Sequence, residues 1–337
     1  MSAGPLPAIP VIDARCGGPL VVAHAAEPRM RDLFRHSRRT LTPPVLAVMD
    51  AVSRRWLDRV RNPYLGELDE IGSLLGKSGA YALNTSYEWA CTSGVGDDPR
   101  GGIRLLRVLD WRLGGLGRNV VVALQRGPAG DFWNISWPGY VGTVTAMAPG
   151  RFAVAINQPP RLSWGATPPV DWAIGRARVW RSVALPPSHL LRQVCETCAT
   201  YAHAKRLLSE APLCLPALFI VAGATPDEGC VIERTPGAAA IREMPAAAAN
   251  HWVGMKLRGR ARGHQSPERQ AQMDRNLAGD AETLFSAPII NRDTQLIAQM
   301  NPHSGRLSLQ GWEHGLPATA ELALDVGTAF GGLPALA

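Results

Sequence analysis

A cysteine, an arginine and an aspartate in this sequence have the types and the spacing of a nucleophilic site. Cys91 opens a short run of strand-forming residues, and Arg107 and Asp110 lie on a second run beyond a turn rich in Gly, Pro and Asp. Opposite positions of an antiparallel hairpin have nearly constant summed numbers, so a turn centred near Pro99 brings Arg107 close to Cys91. A guanidinium favours the thiolate, the nucleophilic form of cysteine, and Arg107 would also orient Asp110.

The same three residues also have a purely structural interpretation, which spacing alone leaves open. An isolated cysteine in a strand is commonly a small buried hydrophobic residue, and an arginine and aspartate three positions apart commonly form a surface pair. The eight histidines are scattered, and none lies beside Cys91 in the sequence. A catalytic Cys91 would therefore need a base of another kind.

The segment Asn84-Thr-Ser-Tyr-Glu-Trp-Ala-Cys91-Thr-Ser93, followed by Arg107-Val-Leu-Asp110, resembles the cleavage-site region of acid ceramidase and N-acylethanolamine-hydrolysing acid amidase. Those enzymes belong to the choloylglycine hydrolase/penicillin V acylase group of N-terminal-nucleophile (Ntn) hydrolases. The similarity covers roughly residues 60–313, and its later blocks follow in the family's order. These blocks are residues 137–142, 149–157, 200–208, 218–223 and 228–234. Their order and spacing are more specific than any single block.

The resemblance implies a role for five residues. Cys91 would be the nucleophile, and Arg107 and Asp110 match the residues that hold the thiol and the freed amine. Asn250 matches an asparagine whose side chain helps to form the oxyanion hole. Arg269 matches a second active-site arginine. The resemblance thus predicts a catalytic centre made of residues far apart in the chain.

The resemblance also implies that the chain cuts itself between Ala90 and Cys91. The new α-amino group of Cys91 would serve as the base for its own thiol, because a free α-amine has a pKa of about 7.7–8.0. We expect an N-acyl amide substrate with an apolar acyl group, such as an N-acylethanolamine, a ceramide or an N-acyl amino acid, and neither a cofactor nor a metal. The alternatives are an acyltransferase of the same superfamily and a non-catalytic lipid-binding relative.

Four further residues of the matching blocks are expected to contact the substrate: Trp137, Tyr140, Asn157 and Gln158. The chain departs from the amidase relatives at Gln158. Those relatives carry a glutamate directly after the asparagine equivalent to Asn157. The absence of this carboxylate bears on the identity of the substrate and on the pH dependence of the reaction.

The elements that must position these residues follow from the hydrophobic pattern. Residues 1–26 are predicted as an extended arm or edge strand, residues 27–90 as helical, and residues 91 to about 183 as strands and turns. Strands are predicted at residues 91–96, 103–111, 119–124, 140–146, 152–157, 217–222, 230–234 and 238–244, with a last hairpin from 295–300 and 307–312. Helices are predicted at residues 187–198, 200–210 and 266 to about 285.

Mixed helices and hairpins predict an α+β fold with layered sheets. The resemblance makes this a four-layer αββα Ntn sandwich of two antiparallel sheets with an N-terminal helical segment. Residues 1–90 would be the propeptide-like chain and residues 91–337 the catalytic domain. The two processed chains are expected to stay associated.

The composition is that of a globular protein, with 46% hydrophobic and 19% charged residues. The net charge of +7 favours anionic partners, and its excess is concentrated in residues 29–61 and 256–269. We expect no nucleic-acid partner, but the basic N-terminal helices could contact an anionic membrane. Neither a signal peptide nor a membrane-spanning stretch is recognised, so we expect a cytoplasmic protein whose six cysteines are reduced.

Overall fold

Two large β-sheets packed face to face form the centre of the protein. The computed structural model describes residues 4–40, 42–86, 89–164, 167–279 and 284–327. Its helices are α1 (Gly18–Ala25), α2 (Glu27–Thr40), α3 (Pro43–Arg59), α4 (Leu65–Leu75), α5 (Ala80–Asn84), α6 (Leu116–Asn119), α7 (Pro168–Arg181), α8 (Pro187–Thr197), α9 (Tyr201–Glu210) and α10 (Ser266–Ala278).

The strands are mostly short and joined as hairpins. They are β1 (Val11–Asp13), β2 (Ala90–Asp97), β3 (Ile103–Asp110), β4 (Val121–Gly127), β5 (Gly130–Ser136), β6 (Thr145–Ala148), β7 (Phe152–Asn157), β8 (Arg161–Leu162), β9 (Ala217–Gly223), β10 (Gly229–Thr235), β11 (Ala238–Glu243), β12 (Ala246–Ala248), β13 (Gly259–Arg260), β14 (Thr294–Asn301), β15 (Arg306–Glu313), β16 (Leu316–Pro317) and β17 (Leu322–Asp325).

The first sheet has the order β1-β4-β5-β6-β7-β9-β10-β11, and the second has the order β12-β2-β3-β14-β15-β16, with β17 also on β15. Strands β2 and β3 face β7 and β9 across the sandwich. Helices α8 and α9 cover the outer face of the first sheet, and α10 covers β2 and β12 of the second. The predicted four-layer α+β sandwich is confirmed. Strands β1 and β4 pair in parallel at an edge of the first sheet.

The central strands are buried on both faces because each lies between a helix layer and the opposing sheet. Every residue of β3, β7 and β9 is buried, and such strands are nearly continuous apolar runs. Arg107 and Asp110 interrupt this pattern on β3. Buried charges are costly unless they are paired, so these positions mark a polar site inside the sandwich.

Two helices correct the prediction that residues 91 to about 183 contain only strands and turns, namely the short α6 and the longer α7. Asp171 is the one buried residue of α7, and Trp172 is 61% exposed, so this helix lacks the apolar stripe by which a sequence pattern reveals a helix. The predicted strand at residues 140–146 is also wrong, because only Thr145 onward pairs with another strand. Before it, the Val141 N–H donates to the Asn84 side chain and the Thr143 N–H to the Ser188 carbonyl.

Two helix boundaries differ from the prediction. Residues 1–26 contain the expected edge strand β1, but also the short helix α1, which begins after Gly17 with Pro19 in its first turn. Helix α10 ends at Ala278 rather than near residue 285, because Gly279 adopts φ +88° and closes it. Strand β5 was not predicted. Cys195 and Cys198 are both buried, as expected of structural cysteines.

Candidate active site

Cys91 lies at the start of β2, and its thiol faces the space between the two sheets. The side chain is fully buried, and Sγ lies 3.9 Å from the Ile156 carbonyl oxygen of β7. Burial raises the pKa of the Cys91 thiol to about 11, while the positive charges of Arg107 and Arg269 oppose that rise. In the uncut chain the thiol is therefore protonated at neutral pH.

Arg107 is a diagonal neighbour of Cys91 on the same face of the hairpin. Cys91 pairs with Leu109 and Ser93 pairs with Arg107, so the turn lies one position later than the sequence suggested. The guanidinium is fully buried, and Nη1 donates to Ser93 Oγ at 3.1 Å and to Asn157 Oδ1. The hairpin argument therefore predicted correctly that Arg107 lies close to Cys91. In the observed register Arg107 pairs with Ser93.

Asn157 and Ser93 hold that guanidinium in place. Ser93 Oγ donates to Asn157 Oδ1 at 2.9 Å, and Asn157 Nδ2 donates to the Ala248 and Ala249 carbonyls at 2.9 and 3.3 Å. The amide of Asn157 thus joins β7 to β12 across the sandwich. Its polar atoms are engaged within the protein, so the structure gives it a bracing position rather than a free substrate-facing one.

Asn250 binds the backbone at the expected cleavage point. Its Oδ1 accepts from the Cys91 N–H at 3.0 Å and from Arg269 Nη2 at 2.8 Å, and its Nδ2 donates to the Gln158 carbonyl at 2.7 Å. With the amide in this orientation, its oxygen accepts from two N–H donors and its nitrogen donates to a carbonyl oxygen. The amide that is expected to serve an oxyanion therefore uses its oxygen and one of its two N–H groups for contacts within the protein.

Arg269, on the first turns of α10, approaches Cys91 from the other face of β2. Nη1 donates to the Cys91 carbonyl at 2.8 Å and to Thr92 Oγ1 at 2.7 Å, while Nε donates to the His264 carbonyl at 2.7 Å. It also lies 3.5 Å from Asp110 Oδ2. A single buried guanidinium therefore links α10, the backbone of Cys91 and the carboxylate of Asp110.

Asp110 lies opposite Ala90 at the end of β3. It accepts from Asn291 Nδ2 at 3.0 Å and Thr294 Oγ1 at 2.9 Å. Burial raises the pKa of the Asp110 carboxyl, and the charge of Arg269 opposes this rise. The expectation that Arg107 orients Asp110 is wrong, because residues 107 and 110 project from opposite faces of β3. Arg269 is the arginine that pairs with Asp110.

The loop before α10 closes over the Ala90–Cys91 peptide. Gly263 adopts φ +72°, and a Cβ added there would lie 2.7 Å from Ala90 Cβ and 2.9 Å from Arg269 Nη2. Upstream, Trp89 is fully buried against Trp111, with ring centroids 5.1 Å apart. The Ala90–Cys91 peptide is therefore enclosed on both sides.

Within the described part of the chain, the side chains of the other residues expected at the substrate form no hydrogen bond with the side chains of this polar network. Trp137 is buried in the core between the sheets, and its Nε1 donates to the Leu116 carbonyl at 2.8 Å. Tyr140 packs against the same core and is partly exposed. Gln158 is 4% exposed, and its Nε2 has no hydrogen-bond partner among the described residues. That amide is a buried donor where the amidase relatives were expected to carry a carboxylate.

Sequence reasoning missed two residues that support Asn250. Ser266 Oγ accepts from the Asn250 N–H at 2.8 Å and lies 2.8 Å from His251 Nδ1. The fully buried Glu233 carboxylate accepts from the N–H groups of the turn that follows, at 2.9 to 3.2 Å. These N–H groups belong to Val253, Gly254 and Met255. For Glu233 the signal in the sequence was a carboxylate within the apolar run of β10.

Comparison with known proteins agrees with this arrangement. No family model matches the chain. Acid ceramidase from Heterocephalus glaber is 27% identical over 226 residues, covering 60% of this chain and 55% of that protein. N-acylethanolamine-hydrolyzing acid amidase from Cavia porcellus is 30% identical over 181 residues, covering 52% of this chain and 49% of that protein. The chain is a relative of these two proteins. It spans about half of the length of the curated relatives that it matches.

A solved structure shows the same fold. It is an N-acylethanolamine-hydrolyzing acid amidase ortholog from Caenorhabditis elegans, with a TM-score of 0.50 and 22% identity, covering 63% of this chain and 93% of that chain. The resemblance noted at Cys91 therefore extends to the arrangement of the sheets.

Proposed function

We propose that the protein is an Ntn amide hydrolase that cuts itself before Cys91 and then uses Cys91 to cleave an N-acyl amide. The observation that carries this proposal is the hydrogen bond from the Cys91 N–H to Asn250 Oδ1, which is itself held by Arg269. A strand backbone N–H needs no such dedicated pair of side chains. The pair is explained if that nitrogen becomes the functional amine.

Self-cleavage would proceed through a thioester. The Cys91 sulfur attacks the Ala90 carbonyl carbon, a C–S bond forms, the C–N bond breaks, and the thiol proton moves to the departing amine. Water then hydrolyses the thioester, which leaves a carboxylate at Ala90 and a free thiol at Cys91. Arg107 and Arg269 favour the anionic sulfur during the attack, against the desolvation that raises its pKa.

Substrate hydrolysis would reuse the same atoms. The new α-amine, held by Asn250 Oδ1, takes the thiol proton while the sulfur forms a C–S bond to the acyl carbon, and the C–N bond then breaks as this proton passes to the leaving amine. In the second step water hydrolyses the thioester, which releases the carboxylic acid and restores the thiol. Asn250 Nδ2 donates one N–H to the Gln158 carbonyl, so its second N–H would be the donor to the oxyanion. Asp110 would act through Arg269, with which it is paired.

The substrate class follows from the relatives, whose names specify ceramide and N-acylethanolamines. We propose an N-acyl lipid as the substrate and water as the acyl acceptor. An acyltransferase would differ only in the second step, so products formed with an added amine acceptor distinguish the two. Formation of a new amide in place of a free fatty acid would favour the transferase.

The decisive measurement is the intact mass of the purified protein. We expect wild type to yield fragments 1–90 and 91–337, while Cys91→Ala stays whole. Cys195→Ala is the matched control, because that thiol is equally buried but lies on α8, and it should cleave normally. A wild-type chain that stays whole after neutral and acidic incubation would contradict the proposal.

Helix α3 provides a face for the membrane contact that a lipid substrate would require. Val45, Val48, Met49 and Val52 are 37–66% exposed and follow helical spacing, so they form one apolar stripe. None of the helices in the described ranges is long and apolar enough to span a bilayer. We propose that this stripe and the neighbouring arginines rest on an anionic membrane surface. Binding to anionic vesicles should weaken when salt is added and in Val48→Glu. Binding that stays the same under both changes would refute the contact.

A further inference from the structure

A serine and a histidine form a hydrogen-bonded pair next to Asn250. Ser266, the first residue of α10, is 8% exposed, and its Oγ accepts from the Asn250 N–H at 2.8 Å. The same Oγ lies 2.8 Å from Nδ1 of His251, which is partly buried. The pair therefore supports the backbone of the residue whose side chain accepts from the Cys91 N–H.

The directions of these hydrogen bonds follow from what each group can donate. The Asn250 N–H is a donor only, so Ser266 Oγ accepts there and keeps one proton of its own to donate. Within the described part of the chain, the one other partner of this hydroxyl is His251 Nδ1. Every group is satisfied when Nδ1 carries no proton, so that Ser266 donates to it and the ring proton lies on Nε2.

Charges from three elements face the His251 ring. They are Glu233 of β10, Arg242 of β11, and Arg269 and Asp274 of α10. Burial lowers the pKa of His251 from its usual value of 6.5; the two carboxylates oppose this shift and the two guanidiniums reinforce it. The neutral ring that the hydrogen bond requires is therefore the form present at neutral pH.

We infer that Ser266 and His251 are positioning residues, which hold Asn250 in place for self-cleavage only while His251 is neutral. If the ring gains a proton, Nδ1 becomes a donor. Ser266 Oγ then receives two N–H groups, and its own proton loses its acceptor. The hydroxyl must turn or move, and the Asn250 backbone that it supports moves with it.

Protonation of the ring should therefore slow self-cleavage, because Asn250 holds the N–H of the peptide that is cut. The inference rests on the proposed function and adds to it two residues and a dependence on pH. The lowered pKa of His251 gives the sign: the supporting hydrogen bond is present above pH 6.5 and is lost as the pH falls below this value.

The test follows self-cleavage by intact mass from about pH 8 to about pH 5 in wild type and H251N. The α-amine of Cys91 does not exist before cleavage, so its titration does not enter this rate. Asn carries an amide oxygen, which accepts a hydrogen bond near the place of Nδ1 and does not titrate. The two proteins should cleave at equal rates at pH 8, and wild type should become roughly threefold to tenfold slower than H251N at pH 5.

Two further variants test whether His251 acts through Ser266. H251L offers no acceptor and should cleave about tenfold more slowly than wild type at pH 8. In a chain that already carries S266A, H251L should cause no further loss, because both changes remove the same hydrogen bond. The matched control is H203N, since His203 is also partly buried but lies on α9, outside the first sheet. Its rate should equal that of wild type at every pH.

Three outcomes would overturn the inference and leave self-cleavage intact. They are a ratio of wild type to H251N that does not change with pH, wild-type cleavage by H251L, and additive losses from H251L and S266A. Melting temperatures identify a variant that fails to fold, and if H251L does so, the ratio of wild type to H251N still decides. A wild-type chain that stays uncut at every pH would instead remove the proposed function, and the role of the pair with it.

Discussion

At the scale of single residues, the site places three buried charges around one thiol. Arg107 faces the thiol between the sheets, and Arg269 with Asp110 lies behind the strand. Two cations and one carboxylate leave a net positive environment, which favours the thiolate and the anionic intermediates of acyl transfer. Gln158 adds a buried amide, which is uncharged, at the position where the amidase relatives are expected to carry a carboxylate.

Ser93 tests whether the position of Arg107 matters for chemistry. Ser93→Ala removes the hydroxyl that accepts from Arg107 Nη1 at 3.1 Å and donates to Asn157. A buried guanidinium that loses an acceptor costs about 1–3 kcal/mol of stability. We expect self-cleavage, followed by intact mass, to slow about tenfold, because 1.4 kcal/mol in the barrier corresponds to that factor.

The control for this change is Ser136→Ala. Ser136 is also buried on a strand, but its Oγ has no hydrogen-bond partner among the described residues. It should cleave at the wild-type rate. If Ser93→Ala lowered the melting temperature but kept the wild-type cleavage rate, Arg107 would not depend on Ser93 for its role.

At the scale of elements, the site is assembled from both faces of one hairpin. Alternation along β2 sends Cys91 and Ser93 toward β7, and Thr92 toward α10. Arg269 can reach the backbone of Cys91 only because α10 packs directly on β2. The loop between Asn250 and α10 brings Gly263 against Ala90, so its path determines whether the peptide before Cys91 is enclosed.

Gly263→Ala tests whether the contact of this loop with the Ala90–Cys91 peptide affects the rate of self-cleavage independently of protein stability. The new methyl group would approach Ala90 Cβ to 2.7 Å and Arg269 Nη2 to 2.9 Å, so the loop must move off the cleavage point. We expect slower self-cleavage and no large loss of stability beyond the cost of a positive φ, about 1–2 kcal/mol. A time course of the 1–90 fragment by mass spectrometry measures the rate.

Gly150→Ala is the control for the stability cost of a side chain on a backbone with positive φ. Gly150 has the same φ of +72°, and a Cβ there would meet nothing within 4 Å. The two variants should lose similar stability, and only Gly263→Ala should cleave slowly. Equal cleavage rates in the two variants would mean that contact with Ala90 is irrelevant to the reaction.

At the scale of the whole molecule, residues 4–86 are built into the sandwich rather than attached beside it. Strand β1 pairs with β4, and α2–α5 form a hydrophobic cluster that includes Val141 and Cys214. Tyr64 Oη donates to Glu196 Oε2 at 2.8 Å, and the Asn84 amide bonds the Gly139 carbonyl and the Val141 N–H. Cleavage before Cys91 would therefore leave most of these contacts intact.

Patterns in the sequence predicted contacts between residues close along the chain and missed contacts between distant segments. Hairpin arithmetic placed Arg107 beside Cys91 because the register depends only on the turn between them. Asn250 and Arg269 entered through resemblance alone, since no spacing rule connects them to residue 91. Helix α7 was missed because its packing does not produce an apolar stripe. The pairing of Asp110 with Arg269 depends on α10 lying on β2, which no local pattern encodes.

Arg192 joins the two proposed fragments. It is 5% exposed on α8, and its guanidinium donates to Glu67 of α4, to Glu196 and to the Val141 carbonyl at 2.7, 2.7 and 2.9 Å. Arg192→Met fills similar space but leaves these acceptors without their donor. Since Glu67 is partly exposed, the loss should be about 1–3 kcal/mol, below that of a fully buried pair.

After cleavage, the variant's fragments should separate at a lower urea concentration than those of wild type, as measured by size-exclusion chromatography with mass detection. Arg54→Met is the control, because its ion pair with Asp69 at 2.8 Å joins two residues within the 1–90 fragment and crosses no boundary. Wild-type and control fragments should elute together without urea. Fragments that separate freely in buffer would show that the helical segment is a removable propeptide, and the acyl site would then have to be built from residues 91–337 alone.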